Sequence, residues 1–124
     1  MEAFFEDENS KIWIENGIMN VSFKIPSVDA ASAKFIAATR IRYCNEKSYP
    51  TVIDIREVKS VTKEARETLA VDEGIKFVSA CAMLINSPVS KIIGNFFLTI
   101  NKPSLPNRIF TDREEALKWL QQFK

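Results

Sequence analysis

Apolar and polar positions along the chain form short alternating runs, then longer amphipathic ones. The segment KIWIENGIMNVSFKI carries the first firm pattern. Its Asn16-Gly17 pair predicts a hairpin, because a type I′ turn needs φ > 0 at both central positions. Lys11–Glu15 and Ile18–Lys24 are the two strands; in the second, Met19, Val21 and Phe23 alternate with Asn20 and Ser22. Residues 1–10 have only Phe4 and Phe5 as apolar anchors and are expected as a short arm docked by those rings.

Pro26 stops the second strand, and Ser27 or Asp29 can cap the alanine-rich helix over residues 29–44. Ala30, Ala33, Ala37, Ile41 and Cys44 fall on one narrow stripe, which suits close approach to a sheet. Phe35 lies on another face, so the helix is either wide-faced core or leaves Phe35 exposed. Val52-Ile53-Asp54-Ile55 is short and mostly β-branched, as a central parallel strand buried on both faces requires. After a loop over 56–61, Thr62 precedes the helix KEARETLAVDEG, with Gly74 expected at its C′ position. Phe77–Ile85 is another buried strand. Ser87-Pro88 opens a helix running to about Ile100, with Val89, Ile92, Ile93, Phe96, Phe97 and Ile100 on a broad apolar arc. Arg108-Ile109-Phe110 is a short strand. Thr111 with Glu114 then reads as a capping box for a last helix, which buries Ala116, Leu117, Leu120 and Phe123 with Trp119 at the margin.

The order is β-β-α-β-α-β-α-β-α. Alternation after one hairpin predicts an α/β domain over residues 11–124: a mixed, mainly parallel five-stranded sheet with four helices and right-handed crossovers. The hairpin supplies its only antiparallel pairing.

Composition narrows the chemistry. The chain has 124 residues, 46% of them hydrophobic and 27% charged, which suits one globular domain. No apolar run is long enough for a membrane span, and the acidic start MEAFFEDEN lacks the features of a signal peptide, so a cytoplasmic protein is expected. Seventeen basic residues balance 16 acidic ones, so no net field draws nucleic acid. There is no histidine, which removes imidazole catalysis, metal ligation and pH switching together. Only three glycines are present, so no glycine-rich phosphate loop exists. Cys44 and Cys81 have no metal spacing and read as small buried hydrophobes. Asp112, Glu114 and Glu115 suit the first turn of a helix rather than a metal site. No cofactor and no enzyme activity are expected.

The element order resembles the STAS domain, the SpoIIAA-like fold of anti-sigma-factor antagonists. Val52-Ile53-Asp54-Ile55 looks like the STAS signature strand, which ends in Asp followed by an apolar residue, and Arg56–Gly74 hold the place of its switch loop and switch helix. The segments SKIIGNFFLTINKPSLPNRIF and FTDREEALKWL are similar to small bacterial STAS/SEC14-type proteins of the Bacteroidetes kind. The resemblance implies a regulatory module that meets a protein partner at the loop and helix after the third strand. The family's Asp-Ser-Ser-Gly is replaced by Thr62, Lys63, Glu64 and Ala65, so its phosphoacceptor serine and its glycine are both missing. Ser60 and Thr62 are the nearby hydroxyls that could take a phosphate.

The candidate binding residues are therefore Asp54, Arg56, Lys59, Ser60, Thr62, Lys63 and Arg66, with Glu64 and Glu67 beside them. Asp54 is either a catalytic or ligand-binding carboxylate at the C-terminal edge of a parallel sheet or an acceptor that shapes the following loop. Thr62 is either a phosphate-accepting hydroxyl or an N-cap. The alternative function is a lipid- or small-molecule-binding module of SEC14-like character, suggested by the broad apolar arc and Phe35. The same apolar surface predicts a homodimer contact.

Overall fold

A computed structural model describes residues 3–70, 72–100 and 105–124. The hairpin forms as its sequence predicts. Asn16 and Gly17 take φ of 54° and 75°, and the turn joins β2 (Ser10–Glu15) to β3 (Ile18–Phe23) with Glu15 opposite Ile18. Ile12 and Ile14 alternate inward with Lys11, Trp13 and Glu15 facing the other way.

The sheet has six strands, not five. Ala3–Glu6 form an additional strand, β1, antiparallel to β2, so the hairpin is not the only antiparallel pairing. The physical reason is the period-two alternation of AFFE. Phe5 turns into the core beside Phe35 and Tyr43, with ring centroids 6.0 and 6.2 Å away, while Phe4 faces the opposite side and stays exposed. The remaining strands are β5 (Tyr49–Asp54), β7 (Val78–Leu84) and β8 (Asn107–Phe110), and the order is β1-β2-β3-β5-β7-β8. The pairings β3·β5, β5·β7 and β7·β8 are parallel, as the alternation requires. Pro50 stands inside the central strand β5, at a register irregularity against β7 and just before the β3 pairing begins at Thr51. A missing N–H is tolerated at such a bulge. A second sheet, unforeseen, pairs β4 (Ser27–Val28) with β6 (Ser60–Val61) in parallel.

Helix α1 (Ala30–Cys44) is capped by Asp29, whose carboxylate accepts from the Ser32 amide at 2.8 Å while the Ser32 hydroxyl accepts from the Asp29 amide. Ser27 belongs to β4 instead. The helix buries Ala33, Ile36, Ala37, Thr39, Arg40 and Cys44, while Ala30 and Ile41 are half-buried and Phe35 is 48% exposed. The expected single helix after Thr62 is two pieces, α2 (Lys63–Ala70) and α3 (Asp72–Ile75). Gly74 lies inside α3 and does not take the C′ role. The left-handed residue is Phe77, with φ of 62°, whose carbonyl accepts from the Tyr49 amide at 3.0 Å as the chain enters β7. Ser87 caps α4 (Pro88–Ile100) through a 3.1 Å bond from the Ser90 amide. The cap of α5 (Arg113–Leu120) is Asp112, which accepts from Glu115, and not Thr111. The helix thus starts one residue later than expected, and the capped amide is that of Glu115 rather than Glu114.

One face of the sheet packs against α1, α2 and α4 through a core that includes Ile12, Met19, Val21, Ile36, Met83 and Ile85. Among the described residues the other packs against α5 and the turn after it, through Ile18, Val52, Ala80, Ala82, Leu84, Phe110, Ala116 and Leu120. On the helix arc, Val89 and Ile92 are exposed and Ile93 is half-buried, while the side chains of Phe96, Phe97 and Ile100 lie outside the described residues.

Candidate functional site

Parallel strands β3 and β5 end side by side, with Ser22 opposite Asp54. The register sets Asp54 at the C-terminal edge of the sheet, almost fully buried. Its carboxylate is engaged by the loop that follows. Oδ1 accepts from the Arg56 amide and Nε, both at 3.0 Å, and Oδ2 accepts from Arg56 Nη2 at 2.7 Å. A planar guanidinium gripping a carboxylate through two parallel bonds fixes orientation as well as charge. The bond to Asp54 raises the Arg56 pKa above its ordinary value. Of the two readings of Asp54, the geometry is that of an acceptor shaping the loop.

The loop from Arg56 to Thr62 is tied down along its length. Val58 is buried, and the amides of Lys59 and Ser60 both donate to the Pro26 carbonyl, at 2.7 and 3.0 Å. The Ser60 and Ser27 hydroxyls lie 3.0 Å apart, and the Thr62 amide donates to Val28 at 3.0 Å. Thr62 Oγ1 accepts from the Ala65 amide at 3.1 Å, so Thr62 is the N-cap of α2. Among the candidates, Asp54 and Arg56 are joined directly. Ser60 and Thr62 sit on the β4–β6 strap and its exit. Lys59 and Lys63 are exposed, as are Glu64 and Glu67, whereas Arg66 is half-buried.

The reading of the residues missed a neighbouring set. An open polar cleft of about 620 Å³ at the strand ends is lined by Ser22, Lys24, Asp54, Arg56, Glu57 and Asn86. Beside it Arg113 reaches from the first turn of α5 to Asn20 Oδ1, and its guanidinium lies 5.3 Å from the Trp13 ring. Desolvation lowers the Arg113 pKa, with the nearby Asp54 charge opposing it. The signal was available in the hairpin register, which pairs Trp13 with Asn20 and Lys11 with Ser22 on one sheet face. Lys24 is held by Glu6 at 2.9 Å, a contact that also lowers the Glu6 pKa. Among the described residues no group of acids and thiols is arranged to hold a metal ion, and no helix is long and apolar enough to cross a membrane.

The architecture, a mixed sheet with an N-terminal hairpin followed by βα units, is that of the SpoIIAA-like fold. An uncharacterized protein of the DUF3478 family from Shewanella loihica PV-4, with a SpoIIAA-like fold, superposes with a TM-score of 0.69 at 14% identity, over 94% of this chain and 97% of that one. A protein with unknown function from Arthrobacter sp. FB24 matches at 24% identity over 89% of this chain and 97% of that one, with a TM-score of 0.35. The family model of the Domain of unknown function (DUF7793) matches residues 12–124, and the chain belongs to that family. No curated protein matches it.

Proposed function

We propose that the chain is a non-enzymatic STAS-type interaction module that binds a protein partner through the loop and helix after β5. One observation carries the reading. The loop is held rigid by the β4–β6 strap and the Asp54–Arg56 fork, yet Lys59, Lys63, Glu64 and Glu67 project from it and from α2 into solvent. Rigid presentation of charges cuts the ordering cost of binding and leaves charge complementarity to set partner choice. Asp54 and Arg56 hold this surface in shape, Lys59, Lys63 and Arg66 provide its positive charge, and Ser60 and Thr62 are the hydroxyls a partner kinase would meet.

The test is Lys59→Glu with Lys63→Glu. Both positions are exposed, so stability should change by no more than about ±0.5 kcal/mol. Proteins recovered from host lysate by the wild type should be lost from the variant at unchanged melting temperature. Recovery of the same proteins by both chains would place the interaction elsewhere.

A homodimer is favoured by a separate observation. Phe35, Val89 and Ile92 are large apolar side chains that remain exposed, at 48, 42 and 70%. Light scattering should report twice the chain mass, reduced to the chain mass by Ile92→Lys or Phe35→Lys; a wild-type monomer at high concentration would exclude the dimer.

A further inference from the structure

The outer edge of β1 has the form of a docking strand. Glu15 and Ile18 face each other across the two-residue turn and so exchange both of their backbone bonds. Bonding then alternates along β2: Glu15, Trp13 and Lys11 bond to β3, while Ile14, Ile12 and Ser10 bond the other way. The Asp7 amide donates to the Ser10 carbonyl, in the same phase. On β1 the residues opposite Ile14 and Ile12 are Ala3 and Phe5, so Phe4 and Glu6 direct their N–H and C=O groups outward. Among the described residues β1 pairs with β2 alone. The far edge of the sheet, β8, is guarded by Pro106 before it and Arg108 within it, whereas Ala3–Glu6 holds no proline, lysine or bulge. Aromatic rings flank the bare edge on both sides. Phe4 is 48% exposed on one face; on the other, Phe35 is equally exposed and lies 6.0 Å from Phe5.

We infer that β1 pairs antiparallel with β1 of a second copy of this chain, across a two-fold axis at Phe5, joining two sheets into one. This rests on the homodimer reading above and gives that dimer its contact. In this register Phe4 comes opposite the partner's Glu6 and Glu6 opposite the partner's Phe4, so the outward groups of both residues are satisfied. An axis at Glu6 would set two like charges directly opposite, which is destabilising. An axis at Phe4 would leave Glu6 with no facing residue in the partner's Ala3–Glu6. Charge agrees with the choice. Lys11 Nζ lies 5.5 Å from the centre of the Phe4 ring, the side chain that the partner's Glu6 faces, and Lys24 holds Glu6 at 2.9 Å. On the other face Phe5 meets the partner's Phe5 in a close, non-hydrogen-bonded pair, with Phe35 beside it. Val89 and Ile92 stay outside the contact, since α4 packs on β8 at the far edge.

The test uses amide exchange on the wild-type chain and sedimentation of two variants. At about ten times the dissociation constant roughly a fifth of the chains remain monomeric. Exchange at the Phe4 and Glu6 amides should therefore be slowed roughly fivefold relative to dilute chains. Glu6→Pro removes an outward N–H and no bond to β2. It should sediment as a monomer with an unchanged circular dichroism spectrum, while Ile92→Lys should remain a dimer. A wild type that stays monomeric would overturn this contact together with the dimer reading. A dimer whose Phe4 and Glu6 amides exchange as fast as in dilute chains, or one that survives in folded Glu6→Pro, would overturn the β1 contact alone and move the interface to Val89 and Ile92.

Discussion

Under α5 the sheet is closed by small side chains meeting large ones. Ala80, Ala82, Leu84, Ala116 and Leu120 are all at 0% exposure, and the Trp119 ring stands 5.6 Å from Phe110 and 4.9 Å from Phe123. On the opposite face three helices and a strapped loop share one core, and a partly open pocket lies over Ile53, Cys81 and Met83. A single helix can settle onto a sheet by adjusting its own position. Several elements joined by short connections satisfy one another's geometry first, and the space between them is what is left. The tight face is built for stability, while the loose face carries the candidate surface.

The largest effect should come from breaking the tight face. Leu120→Ala removes a fully buried side chain, and should cost about 3 kcal/mol in denaturant unfolding. Leu69→Ala on the pocket face removes the same atoms from a half-buried position, and should cost about 1 kcal/mol, part of the side chain's surface being exposed already. Equal costs would erase the contrast between the faces. Thr62→Ala should cost about 1 kcal/mol by removing the α2 cap, with Thr62→Asp restoring most of it.

The smallest effect is an acid one. Bonds from Ser32 hold the Asp29 carboxyl below its ordinary value of 3.8. A carboxyl depressed in the folded state adds stability that is complete above its unfolded pKa and fades as pH falls through the folded one. Stability should therefore decline below about pH 4 through the α1 cap, and Asp29→Asn should flatten that part of the profile. An unchanged slope in the variant would remove Asp29 from the account.

Much of this was legible in the chain. Asn16-Gly17 gave the hairpin, Ser87-Pro88 the start of α4, and the alternation of strand and helix patterns the parallel pairings, because each rests on local backbone preference. What escaped reading depends on contacts distant in sequence. Ala3–Glu6 is a strand because β2 offers an edge to pair with, and the β4–β6 strap joins Ser27 to Ser60 across a whole helix and strand. Phe77 takes a left-handed conformation that nothing in its identity suggests. In the site, the position of Asp54 at a strand end was readable and its fork with Arg56 was not, since the fork depends on side-chain geometry. Arg113 was missed because it arrives from the last helix to a residue of the first hairpin.

The strand order has a consequence for how the molecule is made. β1, β2, β3, β5, β7 and β8 lie side by side in the order in which they are synthesised. Each strand that leaves the ribosome meets the edge completed just before it, so no later strand has to insert between two already paired. Growth proceeds in one direction across the sheet, and the cover for its second face, α5, emerges after the last strand. A chain cut before Arg113 would hold every described strand of the main sheet and still present Val52, Ala82 and Leu84 bare to solvent, a surface for a chaperone until residues 113–124 arrive.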